Sequence, residues 1–79
     1  MERILSTRNL YCCREENKEG KWHYIVFEKA TNTPVISFNS KGLVHIYKTI
    51  DALDIKDYKY YNQVVEITKE VLKMEYSAK

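Results

Sequence analysis

Long apolar runs are missing from this chain. Its longest strongly apolar stretch is about four residues, whereas a membrane-spanning helix needs about 20. The first ten residues, MERILSTRNL, are charged from the second position and hold no apolar core segment, which is not typical of a signal peptide. These absences predict a soluble, cytoplasmic protein that has no membrane partner.

An excess of one charge is missing too. Thirteen Lys and Arg residues against eleven Asp and Glu residues give a formal net charge of +2, and the lysines are scattered along the chain. A dedicated duplex-DNA-binding domain usually gathers a basic surplus on one face. A hydrophobic content of 44% in 79 residues instead predicts one small globular domain with a thin core.

Residues that commonly carry chemistry are scarce. Only two cysteines are present, and they are adjacent, at positions 12 and 13. Neighbouring residues of a strand point to opposite faces, so Cys12 and Cys13 are not expected to pair or to reach one zinc ion, which needs four converging ligands. Two glycines in the whole chain leave no phosphate-cradling loop. We therefore expect no enzyme activity, no cofactor and no metal site.

What the sequence does contain is a series of segments rich in β-branched and aromatic residues, separated by short polar turns. They predict strands over about residues 8–14, 21–29, 34–39 and 43–48. A later segment has apolar residues at spacings of three and four, which predicts an amphipathic helix over about residues 57–74. The predicted fold class is α+β: a small four-stranded antiparallel β-meander with one C-terminal amphipathic helix packed on one face.

One segment has two interpretations. Asn39 and Gly42 bracket a pattern that favours a three-residue hairpin loop, which would lead into the strand over residues 43–48. Leu43, Ile46, Tyr47, Ile50 and Leu53 also fall at helical spacing. If that spacing forms a helix, the fold is three strands followed by two helices.

Loop lengths then suggest how the strands pair. Pairing Arg14 with Lys21 and Lys29 with Pro34 places Ile25 and Phe27 under the helix. The face under the helix would contain Leu10, Cys12, Ile25, Phe27, Ile36, Phe38, Val44 and Ile46, with His23 near its edge. The opposite face would contain Tyr11, Cys13, Trp22, Tyr24, Val26, Val35, Ser37, His45 and Tyr47. The sequence offers no second element to cover this opposite, aromatic face.

An uncovered face rich in Tyr and Trp is typical of an interaction surface, although cross-strand aromatic pairs can also stabilise a sheet without any partner. The predicted partner-binding residues are Tyr11, Lys21, Trp22, Tyr24, His45, Tyr47 and Lys48. They predict a small non-enzymatic protein-binding module that docks on another protein, either a host protein or a second copy as a homodimer.

The composition suggests a source for the protein, and the aromatic face allows two alternative functions. A chain rich in Lys, Asn, Ile and Tyr is typical of low-GC bacterial and phage genomes, which suggests an inhibitor or accessory protein encoded by a phage or mobile element. One alternative is a single-stranded nucleic-acid-binding protein that stacks bases on the same face. Another is a self-assembling subunit.

Overall fold

The computed structural model of the chain describes residues 1–39 and 57–77. These residues form, in order, β1 (Glu2–Ser6), β2 (Leu10–Glu16), β3 (Trp22–Glu28), β4 (Thr33–Asn39) and α1 (Tyr61–Ser77). The strands pair antiparallel in one four-stranded sheet, in the order in which they occur along the chain. The predicted α+β architecture, an antiparallel meander followed by a C-terminal helix, is confirmed.

The four strands are not quite the four expected ones. β2, β3 and β4 correspond to the strands predicted over 8–14, 21–29 and 34–39, but β1 was not predicted. Its bulge between Arg3 and Leu5 lets the adjacent residues Ile4 and Leu5 both pack against the core, so the strand lacks the usual alternation. The strand expected over 43–48, and the helix that competes with it, lie outside the described residues.

The loop between β2 and β3 is shorter than the polar segment between the two predicted strands. The Asn17 carboxamide oxygen accepts the backbone N–H groups of Glu19 and Lys21, both at 2.9 Å. The Asn17 N–H donates to the Lys21 carbonyl at 2.8 Å, which closes a three-residue loop. Gly20 lies in the left-handed region, with φ of 77°, as the last position of such a loop requires.

This turn sets the register of the two central strands. Glu16 pairs with Trp22, and Arg14 therefore pairs with Tyr24. The predicted pairing of Arg14 with Lys21 is wrong by three residues. Because side chains alternate between faces along a strand, an odd shift turns every side chain of β3 to the other face relative to β2.

The pairing of β3 with β4 also differs from the predicted one by an odd number of residues over most of its length, because a bulge follows the turn between them. Glu28 pairs with Thr33 across a four-residue loop in which the Asn32 N–H donates to the Glu28 carbonyl at 2.7 Å. Asn32 takes the left-handed conformation, with φ of 56°, which asparagine tolerates better than most residues. The predicted pairing of Lys29 with Pro34 is wrong, because Pro34 lies opposite Phe27, two residues away. Beyond the bulge between Val26 and Phe27, Ile36 lies opposite Val26, one residue from the position that the predicted pairing gives it, so β3 is inverted relative to β4 as well.

The core consequently contains the side of β3 that was expected to be uncovered. Tyr24 is 2% exposed, its ring stacks on Phe38 with centroids 5.5 Å apart, and its hydroxyl donates to Glu75 of α1. The buried apolar cluster consists of Leu10, Cys12, Tyr24, Val26, Phe38, Val64, Ile67 and Val71. Ile25 and Phe27, expected under the helix, lie on the opposite face of the sheet.

The helix presents the apolar face that its periodicity predicts. Val64, Ile67 and Val71 are at most 1% exposed. The helix begins later than residue 57, because the first helical bond joins the Val64 N–H to the Tyr60 carbonyl. Thr68 is also fully buried, and its hydroxyl donates to the Val65 carbonyl at 2.8 Å, so burial leaves it with a partner.

The inverted β3 can be tested by paired truncations. Tyr24→Ala removes a buried ring and is expected to lower the free energy of unfolding by about 3–5 kcal/mol, as large core truncations do. Phe27→Ala removes a half-buried ring from the other face and is expected to cost about 1 kcal/mol. Urea unfolding followed by circular dichroism measures both, and the reverse order would restore the register first expected from loop length.

The turn itself gives a second test. Gly20→Ala is expected to destabilise the protein by about 1–2 kcal/mol, because an L-residue is strained in the left-handed region. Space is not the cause, since an added Cβ would have its nearest contact with Glu16 Oε1 at an ordinary 3.5 Å. Gly20→Asn is the matched control and should lose less stability in the same urea titration, because asparagine tolerates this conformation. Equal losses in the two variants would contradict a conformational origin.

Candidate interaction surface on the open sheet face

The sheet has one face that α1 does not cover. We call it the open face and define it by Arg3, Tyr11, Cys13, His23, Ile25, Phe27 and Ser37. The strand pairing brings these residues together, since Tyr11 lies opposite Phe27, and Cys13 lies opposite both Arg3 and Ile25. The buried apolar side chains of α1, Val64, Ile67 and Val71, all belong to the core cluster on the other side of the sheet.

An ordered stack of three side chains dominates the open face. The Tyr11 and Phe27 rings are stacked, with centroids 5.2 Å apart and an interplanar angle of 17°. The Arg3 guanidinium carbon lies 4.0 Å from the centroid of the Tyr11 ring. Since β1 and β3 flank β2 on opposite sides, Arg3 and Phe27 enclose Tyr11 between them. The Tyr11 hydroxyl donates to Asn32 Oδ1 at 2.8 Å, which fixes the far end of the ring.

The rest of the open face is apolar at its middle and polar at its far end. Ile25 is half-buried, and Cys13 retains only 8% exposure. His23 Nδ1 lies 3.7 Å from Glu15 Oε1 near the β2–β3 turn, an ion pair only when the imidazole is protonated. Ser37 lies opposite Ile25 and is exposed.

Arg3 carries the unbalanced charge of this surface. It is exposed, and in the part of the chain that the structure describes no carboxylate lies within ion-pair distance of it. By contrast Arg14, on the helix side, pairs with Glu2 at 2.9 Å. The Arg3 guanidinium therefore presents N–H donors to solvent from a position that its contact with Tyr11 holds in place.

The structure separates the residues predicted to bind a partner. Tyr11 lies on the open face, and Lys21 is exposed in the β2–β3 turn. Tyr24 is buried on the helix side, where Trp22 is half-buried with the Arg14 guanidinium 4.1 Å from its ring centroid. The other predicted residues, His45, Tyr47 and Lys48, lie outside the described residues.

Arg3, His23, Ile25 and Phe27 are the residues of the open face that the sequence did not predict there. The wrong register placed His23, Ile25 and Phe27 on the side under the helix, and Arg3 belongs to the strand that was not predicted. A signal for the register did exist: Asn17 to Gly20 reads NKEG, the same Asn-x-x-Gly pattern that marked a bulged hairpin loop at NSKG. Applied at residues 17–20, it gives the observed pairing of Glu16 with Trp22.

Titratable groups on the helix side are tuned by burial. Burial, and to a lesser extent Cys13, raises the pKa of the Cys12 thiol to about 12. Burial and the hydrogen bond to Glu28 raise the pKa of Tyr58 to about 12. Burial and Glu75 likewise raise the pKa of Tyr24. A thiol held in its protonated form is a poor nucleophile, and phenols held protonated serve as hydrogen-bond donors, so these groups stabilise packing.

Other kinds of site find little support in the described part of the chain. Residues 1–39 and 57–77 contain no group of three or more His, Cys, Asp or Glu side chains that could hold a metal ion. Nor does any helix there have the length and apolar character to cross a membrane. No protein-family model matches the chain, and no curated protein or solved structure is significantly similar to it.

The reactivity of Cys12 checks the account of its burial. A rise in thiol pKa from 9.0 to about 12 lowers the thiolate fraction at pH 8 roughly 1000-fold. The Cys13→Ser variant, which retains Cys12 as its single thiol, should therefore react very slowly with a disulfide reagent such as DTNB while folded. In urea the same variant should react at the rate of a free thiol. Fast labelling of the folded variant would show that Cys12 is accessible.

Proposed function

We propose that the chain is a non-enzymatic protein-binding module that docks on another protein through the open face. The observation that carries this proposal is the stack of Arg3, Tyr11 and Phe27, in which a cation and two aromatic rings are ordered beside the apolar middle of the open face. Arginine and aromatic residues are the types most enriched in the buried centres of protein interfaces. Such residues also provide most of the binding energy where it has been mapped by mutation.

The stack favours binding because it is already ordered. Tyr11 is held by Arg3, by Phe27 and by the hydrogen bond to Asn32, so few side-chain conformations would be lost on docking. Immobilising a flexible side chain at an interface costs about 0.5–1.5 kcal/mol, and a pre-ordered surface avoids much of that.

The same geometry favours a partner of complementary chemistry. The guanidinium donors of Arg3 have no carboxylate partner among the described residues. Ile25 and Phe27 provide apolar surface next to Arg3. A complementary protein surface would place an Asp or Glu side chain against Arg3 and an apolar side chain over Phe27. Burial of Arg3 without such an acceptor would leave a charge unpaired, which is strongly unfavourable.

Base stacking on this face is less well supported. Single-stranded nucleic acids bind aromatic residues by placing bases flat on an accessible ring face. Both faces of the Tyr11 ring are already in contact, one with Arg3 and the other with Phe27. The small net charge of +2 would also contribute little phosphate attraction. A phage-encoded or mobile-element-encoded inhibitor acting on a host protein stays our interpretation of the composition.

The test compares two charge reversals in a binding assay. Tagged wild-type protein is incubated with host lysate with and without nuclease, and the recovered partner is purified for calorimetry. Arg3→Glu is expected to weaken binding by about 2 kcal/mol, or roughly 30-fold, because it sets a carboxylate against the partner's carboxylate. Lys69→Glu makes the same charge change on the exposed side of α1 and should leave the affinity unchanged.

Phe27→Ala provides a second test that does not depend on charge. It should weaken binding by a similar amount while the variant still shows a cooperative urea transition. Equal affinities for Arg3→Glu and Lys69→Glu would contradict docking through the open face. Loss of every partner on nuclease treatment would favour nucleic acid, and recovery of the chain alone as a homo-oligomer would favour self-assembly.

A further inference from the structure

A groove lies between the end of β1 and one flank of α1, away from the open face. Its volume is about 340 Å³, within the size range of sites that hold small ligands or a few side chains. Residues 5–8 line it on the strand side, and the helix contributes Gln63, Glu66, Ile67 and Glu70. The helix residues recur at spacings of three and four, so they form one continuous wall.

The end of the groove near the β1–β2 turn is held in place by hydrogen bonds. The Thr7 hydroxyl and the Asn9 N–H both donate to Gln63 Oε1, and Gln63 Nε2 donates to Asn9 Oδ1 at 2.9 Å. These bonds join the turn to the first turns of α1. The groove is therefore formed by the fold and does not require a ligand to shape it.

The strand side of the groove is an outer edge of the four-stranded sheet that the described residues form. β1 is an outer strand of the sheet, and within the described residues no strand lies on its outer side. The Thr7 N–H bonds inward to the Leu10 carbonyl at 2.8 Å. Because the direction of bonding alternates along an antiparallel strand, the N–H and C=O of Ser6 point outward. The bulge before Leu5 interrupts the strand there, so only its last residues are suited to pairing.

The helix side of the groove is acidic. Glu66 and Glu70 are exposed and lie about one turn apart along α1. Glu70 Oε1 forms an ion pair with Lys73 Nζ at 3.3 Å, while Glu66 makes no ion pair among the described residues. Arg8 is exposed at the turn end of the groove. The lining residues thus include two carboxylates on the helix wall and one guanidinium at the turn end, where Lys29 Nζ also donates to the Thr7 carbonyl at 2.6 Å.

From these features we propose that the groove binds a short extended segment of a partner protein that carries a lysine or arginine. The segment pairs with the backbone of Ser6 as an added strand, which is a common mode of peptide recognition. Its basic side chain lies between Glu66 and Glu70, and Leu5 and Ile67 provide the apolar surface beneath it. Arg8 disfavours a second basic residue at the turn end. This site is separate from the open face, and each can fail without the other.

The test uses a displayed library of random decapeptides, selected against the wild-type protein. Enriched peptides are expected to be able to form a strand and to share a Lys or Arg. Fluorescence polarisation with an enriched peptide should show at least a ~10-fold loss of affinity for the double variant Glu66→Lys, Glu70→Lys, because both carboxylates become repulsive. The milder variant Glu66→Gln, Glu70→Gln should show an intermediate loss, which separates electrostatics from any effect on folding.

Two controls make the result specific to the groove. Glu16→Lys, Glu19→Lys makes the same charge change at the β2–β3 turn, at the other end of β2, and should leave peptide affinity unchanged. Arg3→Glu alters the open face and should also have no effect. N-methylation of the peptide backbone at the position that pairs with Ser6 should abolish binding.

Three results would overturn the proposal. The first is a selection that enriches no basic, extended peptides. The second is an enriched peptide that binds the Glu66→Lys, Glu70→Lys variant as tightly as wild type. The third is a peptide whose binding is lost in Arg3→Glu and kept in the groove variants, because it would then occupy the open face.

Discussion

The hydrogen bonds of the Asn17 side chain set the pairing of the two central strands, β2 and β3. By accepting two backbone N–H groups within its own loop, Asn17 closes the β2–β3 turn early, and Gly20 supplies the left-handed residue that the closure needs. The pairing of Glu16 with Trp22 follows, and with it the face that each side chain of β3 occupies. The burial of Tyr24 and the position of Phe27 on the open face depend on that pairing.

The choice matters because β3 is apolar on both sides. Its sequence, WHYIVFE, offers either Trp22, Tyr24 and Val26 or Ile25 and Phe27 to the helix. The protein buries the tyrosine, whose hydroxyl is satisfied by Glu75, and leaves the phenylalanine on the open face. Hydrophobicity alone favours the reverse, since phenylalanine has no polar atom to satisfy. The open face that results carries the stack of Arg3, Tyr11 and Phe27 on which we propose that a partner docks.

The features that depend on hydrophobic periodicity could be predicted from the sequence. The register between strands, which decides the face on which each side chain lies, was predicted wrongly. The helical spacing of Val64, Ile67 and Val71 and the composition of β2 to β4 were sufficient for the architecture and for the core face of α1. The two sides of β3 are equally apolar, so periodicity could not choose between them. An error of an odd number of residues in the β2–β3 register therefore exchanged the core and surface side chains of β3. The pattern from Asn17 to Gly20 contained the missing information. β1 had no comparable signal, because its bulge removes the alternation that identifies a strand.

That bulge also explains how one short strand serves three roles. In a regular strand Arg3 and Leu5 would share a face, and either the cation would be forced toward the core or Leu5 would be lost from it. With Ile4 inserted between them, Arg3 lies over Tyr11 on the open face, while Ile4 and Leu5 pack against the core. The same interruption shortens the strand edge on which another chain could pair, which limits unspecific sheet extension. Next to the groove, Ser6 still directs both of its backbone groups outward. The strand that was hardest to recognise in the sequence therefore connects the two surfaces through which we propose the protein recognises its partners.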